Sequence, residues 1–297
     1  MTLPLHELAA LGTATCWAIT GVIASDAVRA VGPFYFNLLR QVFVAILLLA
    51  ILLFTQGWLA PGWGVAAVLA ASGIIGILVG DTFNFAAVGQ IGPRRAAAVF
   101  ALNAPMAAVL GWAVLDETLP WRAVLGIGIT IAGVALAIMG RPGQGAHRFE
   151  AVQGTLLLGV ALGLLGAFGQ AVGSLIARPV MTAGLDPYMA SLIRVGASGL
   201  AMGLLAATPL APARPNTIPR AVLILTAVTA IIGLLIGMTL FLYALQGSKT
   251  GIIATLSATS PVIILPLLWW RTGQRPSALS WGGAGLAVIG LALIFTR

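Results

Sequence analysis

Gly76-Ile77-Leu78-Val79-Gly80-Asp81-Thr82 returns later in the chain, one charge short, as Gly233-Leu234-Leu235-Ile236-Gly237-Met238-Thr239. Two other landmarks return with it. Pro33 stands seven residues before Arg40, as Pro187 stands before Arg194, and Asn103-Ala104-Pro105 is matched by Thr259-Ser260-Pro261. The offsets are 154 from Arg40 to Arg194, 157 from Gly76 to Gly233 and 156 from Pro105 to Pro261. Three separate landmarks agreeing within small insertions define an internal repeat.

Each landmark lies inside a long apolar run. A helix crossing about 30 Å of hydrocarbon needs roughly 20 such residues. Runs of this kind cover 8–25, 34–54, 65–88, 96–115, 123–140, 154–176, 187–207, 221–243, 251–270 and 279–296. They are continuously apolar, which favours helices over the alternating strands of a barrel. Composition agrees: of 297 residues 60% are hydrophobic and 7% charged, with a mean hydropathy of +1.07. A soluble domain carries about 25% charged residues, so lipid is the solvent for most of this surface.

The longest polar stretch, Arg141 to Gln153, divides the chain into a first unit at 1–140, a linker at 141–153 and a second unit at 154–297. Five spans per unit is an odd number, so the second unit enters the membrane from the opposite side. The expected fold is therefore an all-α integral membrane protein of ten transmembrane helices in two inverted five-helix repeats. Such pseudo-symmetry places a solute site at the midplane between the halves.

On these repeats, the paired arginines, the paired prolines and the turn Asp116-Glu117-Thr118-Leu119-Pro120-Trp121, the sequence resembles the drug/metabolite transporter superfamily. The likeness is to its EamA type, which includes YddG-like amino-acid exporters, and it covers nearly the whole chain. Arg271-Thr-Gly-Gln-Arg275 stands where the second acidic turn belongs. The resemblance implies secondary transport of small metabolites, usually outward, across the inner or plasma membrane.

Three ionisable groups lie well inside the runs: Arg40, Asp81 and Arg194. A charge at a helix centre costs about 2.5 to 3.5 kcal/mol on insertion scales, so each is a candidate for solute contact or ion coupling. The alternative for the arginines is snorkelling or pairing near a helix end. Alternation of the linkers sets Arg40 toward Asp81, as its expected partner, and Arg194 toward Asp116 and Glu117. Trp17, Thr20, Asn84, Phe100, Asn103, Gln170, Tyr243 and Ser257 are the expected lining of the solute cavity, because lipid satisfies none of their polar groups. Ser174 shares the Gln170 face and, like it, is expected to meet protein or a wet cavity. Pro105 and Pro261, mid-run, read as kinks, either gating or fixed. The pairs Gly76/Gly80 and Gly233/Gly237 read as packing seams.

Other chemistries are thinly represented. His6 and His147 lie outside the runs, Cys16 is the single cysteine, and no phosphate-binding loop of the GxxxxGK type occurs. No catalytic residue, metal site or cofactor is expected. An enzyme of lipid or isoprenoid metabolism needs several carboxylates to hold Mg²⁺. An organic-cation exporter, on the pattern of the small multidrug exporters of the superfamily that this sequence resembles, would use a carboxylate in the first helix, where only Asp26 at its edge is available. Both remain as alternatives, with a non-transporting scaffold the third. The basic residues are all arginine but Lys249 and are scattered singly, which argues against nucleic acid. The expected partners are a small-molecule solute and the bilayer, with the chain acting as a monomer. Arg29, Arg94, Arg95, Arg141, Arg148, Arg214, Arg220, Arg271 and Arg275 lie on one face, against Arg122, Arg178, Lys249 and Arg297 on the other. The positive-inside rule then puts both termini outside the cytoplasm. The cavity suits small neutral or zwitterionic metabolites, and the resemblance puts amino acids first among them.

Overall fold

The computed structural model describes residues 5–55, 60–115, 118–140, 152–246 and 256–295. Among the described residues the regular structure is all helical, and the longest described connection is the irregular stretch 207–219. Helices α1 (Leu5–Val31) and α2 (Pro33–Phe54) form the first hairpin. The third span, α3, covers 63–91 and is π-helical over Ile74–Asp81. The fourth is divided into α4, at 93–100, and α5 (Asn103–Leu115). Helices α6 (Trp121–Met139), α7 (Leu156–Thr182) and α8 (Pro187–Ala206) follow. The eighth span is α9 (Arg220–Leu245), π-helical over Ala230–Met238. The last two spans are α10 (Ser260–Thr272) and α11 (Ala278–Phe295).

Two glycine-proline pairs make the tight reversals of the first repeat. Gly32 has φ 77° and ψ 156°, and Gly92 has φ 80° and ψ 162°. Both lie where only glycine is unstrained, and in each case the following proline opens the next helix with its φ already helical. The continuous helical stretch Trp63–Phe100 of 38 residues would be about 57 Å long at 1.5 Å per residue, nearly twice the hydrocarbon thickness. The Gly92 reversal makes it two spans.

Glycine also sets the spacing of the helices. A Cβ on Gly126 would stand 2.6 Å from the Gly290 carbonyl, and one on Gly133 would stand 2.7 Å from that of Gly283. Helices α6 and α11 therefore touch backbone to backbone, joining the fifth and tenth spans across the repeat boundary. Along α3 and α7 the same closeness holds: a Cβ on Gly169 would lie 2.9 Å from the Gly80 Cα, and one on Gly173 would lie 2.7 Å from that of Gly76. In lipid, where burying apolar surface adds little, this packing and interhelical hydrogen bonds such as Ser72 Oγ to the Gly173 carbonyl, at 2.6 Å, hold the halves together. Outward-facing apolar residues such as Trp63, Phe54 and Trp270 are almost fully exposed, toward lipid.

Two expectations are corrected. Arg94 and Arg95 are not linker residues: both are buried in the first turn of α4. Arg94 donates to the carbonyls of Ala137 at 2.6 Å and Gly140 at 2.8 Å and to Ser280 Oγ at 2.9 Å, while Arg95 donates to the Ile138 carbonyl at 3.1 Å. They cap the carboxyl end of α6, where the helix dipole favours positive charge. Pro105 and Pro261 are not mid-helix kinks either. The fourth span breaks at Ala101 and Leu102, so Pro105 falls in the first turn of α5, and Pro261 falls in the first turn of α10, behind a turn at Ala258 and Thr259. In a first turn the missing N–H of proline costs no helical hydrogen bond.

Candidate functional site

A cavity of about 710 Å³, counted out to its open mouth, lies between α1, α3, α4, α5, the 256–259 segment and α10. Its wall from α3 is a single stripe, Asp81, Asn84, Phe85 and Val88, at the i, i+3, i+4, i+7 spacing of one helix face. Helix α1 adds Trp17, Thr20 and Gly21, and α4 adds Pro93, Ala97 and Phe100. Asn103 opens α5, Ser260 and Pro261 open α10, and Ser257 lies just before the turn at Ala258 and Thr259. From the middle of the bundle the cavity runs to Val88 and Pro93, beside the Gly92 reversal.

The walls are aromatic and the floor is charged. Trp17 meets Phe100 edge-on, centroids 6.2 Å apart, and Phe241 at 5.4 Å. Arg40 reaches in from α2, its guanidinium carbon 4.6 Å from the Phe85 centroid and 5.4 Å from that of Phe36, distances at which a cation is drawn to the ring face. Its Nη2 donates to the Thr229 carbonyl at 3.2 Å. That carbonyl is at the last residue before the π segment of α9, where the change of helical pitch frees backbone acceptors.

Unpaired polar atoms cluster around this space. Among the described residues Arg40 Nε and Nη1, Thr20 Oγ1, Asn84 Oδ1 and Ser257 Oγ are buried with no hydrogen-bond partner. A buried polar group without a partner costs about 1 to 3 kcal/mol, and five such atoms belong to residues that line this one cavity. The amide nitrogen of Asn103 is already used, donating at 2.6 Å to the Phe100 carbonyl that the break in the fourth span leaves free.

The expected partnership of Arg40 and Asp81 takes a different form. No contact ion pair joins Asp81 to either arginine among the described residues. The carboxylate lies instead within electrostatic range of both Arg40 and Arg194. The π segment explains how one acid serves both: with i to i+5 hydrogen bonding, residues five apart stand about one turn apart, which brings Asp81 over Gly76, the residue Arg194 packs against. Arg194 Nη2 lies 3.1 Å from where a Cβ on Gly76 would be, and its expected neighbours are Asp116 and Glu117. Asp116 and Glu117 lie outside the described residues.

Of the expected lining, Trp17, Thr20, Asn84, Phe100, Asn103 and Ser257 come together in the cavity with Arg40, Asp81 and Pro261. Gln170, Tyr243, Arg194 and Pro105 do not. Gln170 is packed against α3 near Arg194. Ser174 bonds back to the Gln170 carbonyl at 2.7 Å. Tyr243 stacks on His6, centroids 4.7 Å apart, and its carbonyl faces His6 Nδ1 at 3.1 Å, closing the end of the bundle away from the Gly92 reversal. The sequence reading missed Phe85, Val88, Ala97 and Gly233. The first two share the helical face of Asp81 and Asn84, a signal that spacing alone carries. At the substituted acidic turn, Arg271 pairs with Asp26 at 3.2 Å and donates to the Val22 carbonyl at 3.0 Å.

The fold is an all-helical bundle of two repeats, with the cavity lined by residues of both. The EamA-like transporter family model matches residues 5–139 and 157–296. The chain belongs to that family and is a multi-pass membrane protein. No curated protein matches the sequence. One similar solved structure, described only as the crystal structure of a protein, superposes with a TM-score of 0.69 over 98% of this chain and 96% of that one, at 19% identity. That likeness shows the fold alone.

Proposed function

We propose that this protein is a secondary transporter of the inner or plasma membrane that exports small neutral or zwitterionic metabolites, amino acids foremost, and groups with the YddG-like exporters of its family. The observation that carries this reading is one cavity containing Arg40 and Asp81, opposite charges that do not contact each other, between aromatic walls. A zwitterion satisfies both at once, its carboxylate turned to Arg40 and its ammonium to Asp81, while Trp17 and Phe100 cover its side chain. Helices α5 and α10 add to the pull on a carboxylate, because each begins at the cavity and points the positive end of its dipole there.

Export proceeds by alternating access, the two repeats exchanging conformations around the bound solute. Arg40, Asp81 and Arg194 form the charge set that couples the exchange, and the breaks before Pro105 and Pro261 are the gating points. The protein works as a monomer in the bilayer, needs no cofactor and binds no nucleic acid. A second reading, export of organic cations, draws on the Asp81 carboxylate beside Trp17 and Phe100, a pairing that attracts cations.

Flux into liposomes containing the purified protein, screened across amino acids, nucleosides, sugars and organic cations, decides between them. Amino-acid flux that falls in Trp17→Ala and Asn103→Ala supports the proposal. Strong organic-cation flux without amino-acid flux overturns it.

A further inference from the structure

The least satisfied side chain among the described residues lies outside the cavity. Arg194 on α8 is fully buried, and its Nε, Nη1 and Nη2 all lack a hydrogen-bond partner. Gln170 on α7, 1% exposed, has both amide atoms unpaired as well. The two meet over one glycine: a Cβ on Gly76 would stand 3.1 Å from Arg194 Nη2 and 3.6 Å from Gln170 Oε1. Ser198, one turn beyond Arg194, also has an unpaired, buried hydroxyl. A fully buried guanidinium with no acceptor is a costly arrangement, and among the described residues the carboxylate in electrostatic range is Asp81, which Arg40 shares.

This cluster repeats the cavity in the other half of the protein. Arg40 and Arg194 occupy matching positions, and each guanidinium rests on a glycine in the π segment of the opposite repeat. Arg40 Nη2 stands 2.7 Å from a Cβ built on Gly233, and Arg194 Nη2 stands 3.1 Å from one on Gly76. The Arg40 side is open and the Arg194 side is closed. Among the described residues Arg40 and Arg194 share the one carboxylate of Asp81.

We propose that Arg194 and Gln170 form a second carboxylate-receiving site, used when the repeats exchange conformations, so that the solute's carboxylate is held by Arg40 in one state and by Arg194 in the other. The guanidinium fork receives both oxygens and the Gln170 amide nitrogen adds a third donor. The ligand is a monocarboxylate, and the second negative charge for the two arginines is the solute's own. This rests on the amino-acid reading above and adds which residue faces the solute from each side.

The test is exchange in liposomes with the protein inserted in one orientation, measuring the half-saturating amino-acid concentration from each face. Arg40→Gln raises it about tenfold at one face and Arg194→Gln about tenfold at the other, a tenfold change being one factor of ten in the binding constant. Gly76→Ala, which keeps the arginine and takes its space, acts on the same face as Arg194→Gln, and so provides the answer if that variant folds poorly. Equal shifts at both faces, or no shift in Arg194→Gln and Gly76→Ala, overturn the proposal while leaving the amino-acid reading intact. Transport of the amino-acid amide as readily as the acid defeats both. Replacing chloride by sulfate leaves the values unchanged if the solute supplies the charge. A requirement for chloride overturns the proposal in favour of an inorganic anion.

Discussion

Arg40 Nη2 stands 2.7 Å from the place a Cβ on Gly233 would occupy, and Thr20 Oγ1 stands equally close to it. The arginine reaches the Thr229 carbonyl and the cavity only because that residue has no side chain. Gly233→Ala forces Arg40 or Thr20 to move, and overpacking of this kind costs about 1 to 3 kcal/mol. The variant should purify as a folded protein with a lower melting point and weaker solute affinity. Unchanged affinity would show that Arg40 does not contribute to the cavity.

Asp81 offsets part of the charge of two buried arginines. Asp81→Asn should therefore destabilise the protein by about 3 kcal/mol, the order seen when one member of a buried charge set is removed. Adding Arg40→Gln or Arg194→Gln should restore part of the loss, because either returns the core from two uncompensated positive charges to one. Melting of the purified single and double variants measures this. A single variant as stable as the parent would remove Asp81 from the account.

Arg94 ties the Gly92 reversal to the carboxyl end of α6 and to Ser280 at the start of α11. Hydrogen bonds from a charged donor contribute about 1.5 to 3 kcal/mol each. Arg94→Gln should lower stability by at least about 2 kcal/mol and leave the half-saturating solute concentration unchanged. A change in affinity without a change in melting would place Arg94 in solute handling instead.

With Arg94 and Arg95 buried as helix caps, the arginine bias between the two faces narrows. Arg29, Arg141, Arg148, Arg214, Arg220, Arg271 and Arg275 remain against Arg122, Arg178, Lys249 and Arg297, seven against four. The face of the Gly32 and Gly92 reversals is still the expected cytoplasmic one. A reporter fused after Arg297 that is active only outside the cytoplasm should give signal. Activity of a cytoplasmic reporter there reverses the orientation.

The sequence carried the ten spans and the inverted repeat because a span is a run of about 20 apolar residues, and length and hydropathy are visible without packing. Six of the eight residues expected to line the cavity meet there, and for the polar ones among them the reason is that lipid cannot satisfy their hydrogen-bonding groups. What it could not carry was helical phase. Tyr243 and Gln170 sit on spans whose faces turn by the pitch of the π segments and by glycine packing, and nothing in residue type announces a π helix. The fate of Arg94 and the positions of Pro105 and Pro261 were equally hidden, for both depend on where a helix stops. Gly92 and the break at Ala101 and Leu102 determine that through backbone dihedrals, and an arginine two residues past a glycine reads as a loop residue until the reversal is seen.

On the proposed function, solute passes through the cavity bounded by α1, α3, α4 and α10. Ala97 is a small residue on its wall, whereas Ala132 on α6 faces lipid. Amino-acid exchange in liposomes should be abolished by Ala97→Trp, which fills the cavity, and retained by Ala132→Trp, with both proteins purified and melting near the parent temperature. Full exchange in Ala97→Trp would contradict the account, because solute would then be moving by a path that does not include this cavity.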